Sequence, residues 1–184
     1  SVYNIENRAM KVNPALSNTL TMALQDQYRR LTKLEMLEGM REDGKIILNG
    51  DDQMLWNVQK VCDIATYFGV RNPKCQVLGS KVEEKDGHLS FDVKCGDVTV
   101  PFTLELEGEH FVSDALAAIS VGISMGIAPE NIADALRNFH NMAGRQEIFR
   151  HKGYTVIKDC YNAGPESMAA ALNVLSKRPG RRIA

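Results

Sequence analysis

"HLSFDVKCGDVTVPFTLEL", residues 88–106, carries the clearest structural signal in the chain. Apolar and polar residues alternate on both sides of Gly96-Asp97, and a period of two predicts half-buried strands. A Gly-Asp pair between two strands suits a two-residue type II′ hairpin. Asp86-Gly87 marks a second turn, so the sequence predicts a three-stranded antiparallel meander that begins near residue 75.

The segments before the meander have a different pattern. Leucines and a methionine recur at helical spacing over residues 19–42, and Gly44 follows as a helix stop, which predicts an amphipathic helix. "KIILNG" (45–50) and "ATYFGV" (65–70) are short apolar runs typical of buried strands. Between them we expect a helix that begins near Asp51 and carries Met54, Leu55, Val58, Val61 and Ile64. This order favours a layered α/β fold with a parallel sheet.

Helices and a second β region are predicted after the meander. The two helices, at about 109–126 and 129–139, are separated by Gly126 and Pro129. The chain then reads as "EIFRH", "YTVIKDC", a loop, a helix from Pro165, and "RRIA" as the start of a further strand. Some 40 residues of β-β-α-β are too few to close a core, so we expect the natural protein to continue beyond Ala184.

Composition excludes some classes of partner. The 22 Lys and Arg residues nearly balance the 23 Asp and Glu residues, so charge gives no reason to expect binding to nucleic acid or to a membrane surface. The four cysteines are irregularly spaced and lack zinc-site spacing, which favours free thiols in a reducing compartment. With neither a membrane-spanning run nor a signal-peptide pattern, we expect a cytoplasmic protein with small-molecule partners.

Several candidate motifs have ordinary structural explanations. "GMREDGKI" (39–46) fits G-x-x-x-x-G-K, but Ile46 replaces the Ser or Thr of a phosphate loop and the run joins a helix to a strand. Lys33 reads as a solvated helix residue, and the ordinary interpretation of Asp114 is a polar helix residue that faces water. His110 reads as a side chain at a helix start, with no sequence neighbour that completes a metal or nucleophile set.

The stretch "KDCYNAGPES", residues 158–167, is more informative. It follows a predicted strand and precedes a helix whose first turn contains Pro165, and ligands of open α/β sheets bind at the carboxyl ends of strands. Asp159 offers an acceptor for ribose hydroxyls, Tyr161 a stacking face, and Asn162 an amide that reads a base edge. On these residues alone, a purely turn-forming role for Asp159 and Asn162 remains equally open.

Four segments, in order, resemble the Mur ligase family. "VIKDCYNAGPESMAAAL" is similar to its D-x-Y-N-A-x-P-x-S-M segment, and the other three are "TKLEMLEGMREDGKIILNGDD", "GEHFVSDALAAISVGISMGI" and "FHNMAGRQEIF". The similarity covers Thr32 to Ala184 and is greatest to the branch that adds D-alanyl-D-alanine to a UDP-N-acetylmuramoyl tripeptide. It implies an α/β fold in which 32–143 form the later part of a central ATP-binding domain, with a parallel sheet and an antiparallel three-stranded meander. Residues 144–184 then begin a Rossmann-like C-terminal domain, and 1–31 stay unassigned.

The resemblance also implies a chemistry. Mur ligases are cytoplasmic enzymes that use ATP and Mg²⁺ to phosphorylate a UDP-linked muramoyl peptide, after which an amine attacks the acyl phosphate to extend the peptidoglycan precursor. Lys33 aligns with a catalytic lysine that becomes carbamylated and then binds Mg²⁺. Asp114 falls where the family usually has asparagine. The implied nucleotide-binding residues are Asp114, Arg145, Asp159, Tyr161 and Asn162.

Other functions remain open at this stage. No segment here resembles the UDP-binding domain or the phosphate loop of the family, so we expect this chain to be inactive as a ligase by itself. A different Mur-type amino-acid ligase is the alternative within the class. A non-catalytic remnant that self-associates through exposed apolar surface is the alternative outside it.

Overall fold

The computed structural model describes residues 44–60, 64–161 and 163–184. Residues 45–184 form one compact unit. The predicted helix at 19–42, Lys33 and Asn162 lie outside the described residues. The predicted domain boundary between residues 143 and 144 stays a prediction.

A mixed five-stranded sheet forms the centre of the fold. Its strands are β1 (Ile46–Asn49), β2 (Ala65–Gly69), β3 (Val77–Lys85), β4 (His88–Cys95) and β5 (Val98–Leu104), in spatial order β1-β2-β3-β4-β5. The β1–β2 and β2–β3 pairs are parallel, and the β3–β4 and β4–β5 pairs are antiparallel. This topology confirms the predicted α/β class with a parallel sheet and a three-stranded meander.

The two tight turns of the meander have the predicted chemistry. Gly96 has φ +61° while Asp97 is not among the residues with positive φ, which is the pattern of a type II′ turn. Asp86 and Gly87 have φ +52° and +80°, as a type I′ turn requires at both central positions. Both turns match the right-handed twist of the strands and thereby fix the register of the meander.

The predicted helix that begins near Asp51 is only partly correct, and its residues 61–63 lie outside the described residues. Helix α1 spans Gln53–Trp56 and passes into a 3₁₀ turn at Asn57–Lys60. Asp52 caps α1 by accepting from the backbone N–H groups of Met54 and Leu55 at 2.8 and 3.2 Å, but Asn57 follows as the C-cap. Asparagine side chains compete for backbone hydrogen bonds and favour helix ends over helix interiors, which the apolar spacing alone did not reveal.

Two helices cover the sheet and close the core. Helix α2 spans His110–Ser124 and helix α3 spans Pro129–Arg137. Leu116 and Ile119 of α2 are completely buried, as is Leu89 of β4. The helix lies close to the sheet because β3 has a glycine at the contact: a Cβ at Gly79 would lie 3.0 Å from Leu116 Cδ1.

The last part of the chain forms a hairpin and a helix. Strands β6 (Glu147–His151) and β7 (Tyr154–Lys158) are antiparallel, and helix α4 spans Pro165–Ser176. The prediction that "RRIA" starts a strand is wrong in this structure, since residues 181–184 form none. The guanidinium of Arg182 instead donates to the carbonyls of Ser176 and Arg178 at 2.8 and 3.1 Å, which holds this segment against the end of α4. Among the described residues, no helix has the length and apolarity needed to cross a bilayer.

One carboxylate organises the turn after β2, and its removal should destabilise the fold. Asp51 accepts from the backbone N–H groups of Val70, Arg71 and Asn72 at 2.7, 2.9 and 2.8 Å. We expect Asp51→Ala to lower the free energy of unfolding by about 2 kcal/mol, because three donors lose a charged acceptor. Asp134→Ala, which removes an exposed ion pair with Arg137, is the matched control, and equal urea midpoints for the two variants would contradict the expectation.

Candidate functional site

A cleft of about 410 Å³ lies where α2, the loop after α3 and α4 meet. Helix α2 supplies its first turns, the loop supplies residues 139–146, and the segment after β7 supplies the opposite wall. The polar and charged residues of its lining include His110, Asp114, Arg145, Gln146 and Asp159. The cleft therefore joins segments that are far apart in sequence.

Three of the predicted site residues line this one cleft. They are Asp114, Arg145 and Asp159. Tyr161 is connected to them through Arg145, whose guanidinium carbon lies 4.0 Å from the centre of the tyrosine ring, within the range of a cation–π contact. Tyr161 is otherwise 70% exposed, so its ring remains open to a ligand on its outer side. The predicted roles of Lys33 and Asn162 stay predictions.

The start of α2 places His110 and Asp114 on the same side of the helix. Residues four apart on a helix are neighbours on its surface. Gly108, with φ +115°, precedes the helix, and a Cβ there would lie 2.5 Å from His110 Cε1. The absence of a side chain at Gly108 therefore lets the imidazole lie directly against the backbone, with the Phe111 ring 4.2 Å away on another side.

Burial lowers the pKa of His110 below its ordinary value. The carboxylates of Asp114, Asp159 and Glu84 act in the opposite direction, and so does a side-chain hydrogen bond with Gln146, but burial outweighs them. The neutral imidazole is consequently favoured near neutral pH. A neutral imidazole has one N–H donor and one nitrogen acceptor, so His110 brings hydrogen-bonding capacity to the cleft without a full charge.

Asp114 is affected by the same surroundings in the opposite sense. Partial burial raises the pKa of its carboxyl, while His110 and then Arg145 lower it by charge, and the net direction is upward. The low-dielectric wall of the cleft thus disfavours the carboxylate, although a cationic neighbour is within electrostatic range.

The backbone around Arg145 is held by three hydrogen bonds. The Cys160 N–H donates to the Gly144 carbonyl at 2.9 Å, and the Arg145 N–H donates to the Met142 carbonyl at 3.0 Å. The Gly144 N–H donates to Glu147 Oε2 at 3.3 Å. Gly144 has φ +79°, which allows the chain to turn here before β6. These bonds connect the segment that carries Arg145 to the one that carries Asp159.

Sequence reasoning gave His110 an ordinary role at a helix start and did not single out Gln146, yet both line the cleft. The spacing of His110 to Asp114 was a usable signal, because i and i+4 share a helix face. Gln146 is 7% exposed, and its side-chain amide donates to the backbone carbonyl of Glu107. That contact joins residues 39 apart, and no local pattern in the sequence predicts it.

An apolar recess of about 110 Å³ adjoins the cleft. Its walls include Leu104, Leu106, Leu136 and Ala118, and it shares Phe111, Asp114 and Phe139 with the larger cleft. An apolar recess with one carboxyl at its edge, beside a compartment that contains an arginine, suits a ligand with a flat apolar part and an anionic part. Across residues 44–60, 64–161 and 163–184, no group of three or more His, Cys, Asp or Glu side chains is arranged to hold a metal ion.

The mixed sheet, its covering helices and this cleft define an α/β protein with a candidate site at the start of its second β region. Residues 26–122 match the family described as the Mur ligase middle domain. The chain belongs to the Mur ligase family, which confirms the resemblance seen in the sequence.

Curated relatives agree with this assignment. The UDP-N-acetylmuramoyl-tripeptide–D-alanyl-D-alanine ligase of Bacillus subtilis (strain 168) is 34% identical over 149 residues, which cover 80% of this chain and 32% of the relative. The UDP-N-acetylmuramate–L-alanine ligase of Clostridium novyi (strain NT) is 30% identical over 164 residues, or 87% of this chain and 34% of the relative. The chain therefore spans about a third of the length of these relatives.

Solved structures show the same fold. MurF from Acinetobacter baumannii superposes with a TM-score of 0.70 at 23% identity, covering 79% of this chain and 32% of that chain. MurF from Thermotoga maritima in complex with ADP gives a TM-score of 0.68 at 19% identity, covering 82% of this chain and 34% of that chain. These matches confirm the predicted fold class.

The electrostatic coupling inside the cleft can be tested by NMR titration of His110. We expect its pKa to lie below about 6.5, the ordinary value, and to fall further in Asp114→Asn, because the carboxylate that raises it most is removed. Folding should gain stability as the pH rises from the folded pKa to about 6.5, since the unfolded chain binds more protons over that interval.

Glu109→Gln is the matched control for this titration. Glu109 is the residue before His110 in the sequence, but its carboxylate is not among the groups that shift the pKa of His110 and it contacts Lys177 at 3.3 Å instead. A drop in the pKa of His110 that is as large in Glu109→Gln as in Asp114→Asn would show that the coupling to Asp114 is not specific.

Proposed function

We propose that this chain contributes the nucleotide-binding cleft of an ATP-dependent, amide-forming Mur ligase. The observation that carries the proposal is the convergence of Asp114, Arg145 and Asp159 on one cleft. The three residues come from a helix, a loop and a strand end, and the resemblance implied a nucleotide role for each of them separately. Their meeting at one place is the expected consequence if all three serve the same ligand.

The chemistry of the cleft fits the parts of ATP. The planar guanidinium of Arg145 suits phosphate oxygens, which it can bind with two parallel hydrogen bonds, and its contact with Tyr161 restrains its orientation. The apolar recess suits a base, with Asp114 at its edge to accept from an amino group. Asp159, on the wall of the larger compartment, suits the ribose hydroxyls.

Within the whole ligase, we propose that this site serves the extension of the peptidoglycan precursor in the cytoplasm. ATP supplies the phosphoryl group that turns the terminal carboxylate of a UDP-N-acetylmuramoyl tripeptide into a reactive acyl phosphate, which the amine of D-alanyl-D-alanine attacks. The described residues would bind and orient the nucleotide, and positioning of this kind supplies much of the rate in such transfers. We propose that the chain alone binds nucleotide without forming the amide.

The magnesium ion implied by the family is not accounted for by the described residues. They contain no cluster of three or more His, Cys, Asp or Glu side chains that could hold a metal ion. A carbamylated Lys33 as the Mg²⁺ ligand stays a prediction, because Lys33 lies outside the described residues.

A second candidate within the family is addition of L-alanine to UDP-N-acetylmuramate. It is favoured by the similarity to the Clostridium novyi ligase, whose name states this activity. The two candidates share the nucleotide cleft and differ in their acceptors. ATP-dependent phosphate release by the gene product that contains this chain, measured with each acceptor and amine pair, distinguishes them.

Calorimetric titration with ATP tests the proposed cleft directly. We expect saturable binding by the chain, weakened about tenfold or more in Arg145→Ala, because a charge-assisted contact to phosphate is lost. Asp159→Ala should weaken binding by a smaller factor, since a hydrogen bond to a neutral hydroxyl contributes less. Arg137→Ala and Asp134→Ala are the matched controls, because this exposed pair lies on α3 outside the cleft.

The titration can also refute the proposal. A folded chain that gives no saturable heat with ATP would leave the cleft without its proposed ligand and favour a non-catalytic module. Equal weakening by the α3 variants would place the nucleotide elsewhere or reveal a general charge effect. A folded state for each variant is established by its urea transition before the titration is interpreted.

A further inference from the structure

Gln146 occupies an unusual position in the structure. The described residues contain two buried polar side chains, Ser120 and Gln146. The Ser120 hydroxyl donates within its own helix, to the Leu116 carbonyl at 2.7 Å. Gln146 instead reaches across the fold to the backbone carbonyl of Glu107. A buried amide that links separate segments restricts their relative position, since breaking it would leave polar groups unsatisfied.

The backbone of Gln146 is also held in a conformation that glutamine does not favour. Its φ is +43°, in the left-handed region where glycine is the usual residue. Asp86 and Lys152 also have positive φ but lie in exposed hairpin turns. Gln146 is buried and lies outside a hairpin turn. A glycine at position 146 would avoid the backbone cost, so the presence of glutamine indicates that the side chain compensates for it.

The Gln146 side chain lies beside two groups. Its amide nitrogen donates to the Glu107 carbonyl, and it is close enough to His110 to raise the pKa of the imidazole. A neighbour that raises the pKa of an imidazole favours its protonated form, so the amide oxygen is the Gln146 atom suited to accept from His110. Gln146 thus binds the segment before α2 and lies beside the first residue of α2.

The residue before Gln146 is Arg145. Because Arg145 and Gln146 are adjacent, the backbone that carries the Arg145 side chain is fixed by the same contacts that fix Gln146. On its other side, the Arg145 guanidinium lies over the Tyr161 ring. The cleft is therefore spanned by a connection from His110 through Gln146 and Arg145 to Tyr161.

We propose that Gln146 is a positioning residue that joins the start of α2 to the loop carrying Arg145 and so sets the separation of His110 and Arg145 across the cleft. This inference deepens the proposed nucleotide-binding function and rests on it. Gln146 itself need not touch the ligand. Its effect is to preorganise the two walls of the site, so that less ordering is required when a nucleotide binds.

Gln146→Gly and Gln146→Glu separate the backbone from the side chain. Glycine tolerates the left-handed conformation and removes the carboxamide. If Gln146 had only a conformational role, Gln146→Gly would leave the pKa of His110 and the Kd for ATP unchanged. Glutamate keeps an oxygen that accepts from His110 but cannot donate to the Glu107 carbonyl. Gln76→Ala is the matched control. It removes the side-chain oxygen that accepts from the Tyr67 N–H at 2.8 Å, and this hydrogen bond lies away from the cleft.

Two readouts are measured for each variant: the NMR titration of His110 without nucleotide, and the calorimetric Kd for ATP. In Gln146→Gly we expect the pKa of His110 to fall, because an acceptor for its charged form is lost. In Gln146→Glu we expect it to rise, because a carboxylate joins those of Asp114, Asp159 and Glu84. ATP binding should weaken about tenfold in both variants, and Gln76→Ala should change neither readout.

The outcomes separate the two proposals. If the unmodified chain fails to bind ATP, the nucleotide function fails, while the His110 titrations still decide whether Gln146 contacts the imidazole. If Gln146→Gly leaves the titration and the Kd unchanged, the positioning role is wrong. Should both variants unfold, the unmodified chain decides: slow exchange of the Gln146 side-chain amide protons supports the buried link, and exchange as fast as in a free amide overturns it.

Discussion

The burial of α2 against the mixed sheet is the contact on which the rest of the structure depends. Leu116 and Ile119, completely buried on the inner face of this helix, each contribute roughly 1.5 to 3 kcal/mol by removal from water. The first two turns of the same helix also place His110 and Asp114 at the cleft. The position of the site is thus determined by the packing of the core, and a shift of α2 on the sheet would displace both residues together.

The cleft combines groups of opposite charge in a partly desolvated space. Asp114 and Asp159 lie on the same cleft as Arg145, and burial favours the neutral forms of both His110 and Asp114. Arg145 in contrast keeps its charge, as guanidinium groups do in proteins. The arrangement suits an anionic ligand, because Arg145 supplies a fixed positive charge while His110 and Asp114 can change their protonation. A phosphate near His110 would favour the imidazolium, so the protonation of the site and its occupancy by an anion are expected to be linked.

The sequence predicted the elements whose signals are local. The meander is marked by a period of two and by turns at Asp86-Gly87 and Gly96-Asp97, whose backbone dihedrals the structure confirms. The short α1 and the absence of a strand at "RRIA" were not predicted: α1 ends where the backbone N–H of Asn57 caps it, and the side chain of Arg182 holds the last segment against α4. The site residues came from the family resemblance, since spacing alone left turn-forming and solvated roles open. The contact of Gln146 with Glu107 joins residues 39 apart in the sequence. A local sequence pattern does not predict it, because it depends on the tertiary structure.

The residue at position 114 affects both the charge and the hydrogen-bonding capacity of the cleft. The resemblance leads one to expect asparagine there, whereas this chain has aspartate, which accepts hydrogen bonds when ionised but lacks the amide donors. Burial raises the pKa of the Asp114 carboxyl, while the charges of His110 and then Arg145 lower it, so its ionisation depends partly on how much of the positive charge of Arg145 remains uncompensated. A phosphate bound by Arg145 would compensate that charge and thereby favour the protonated carboxyl, which has one O–H donor. By compensating Arg145, an anion in the cleft would therefore favour the form of Asp114 that has a donor, as asparagine always has, whereas an imidazolium at His110 would favour the carboxylate.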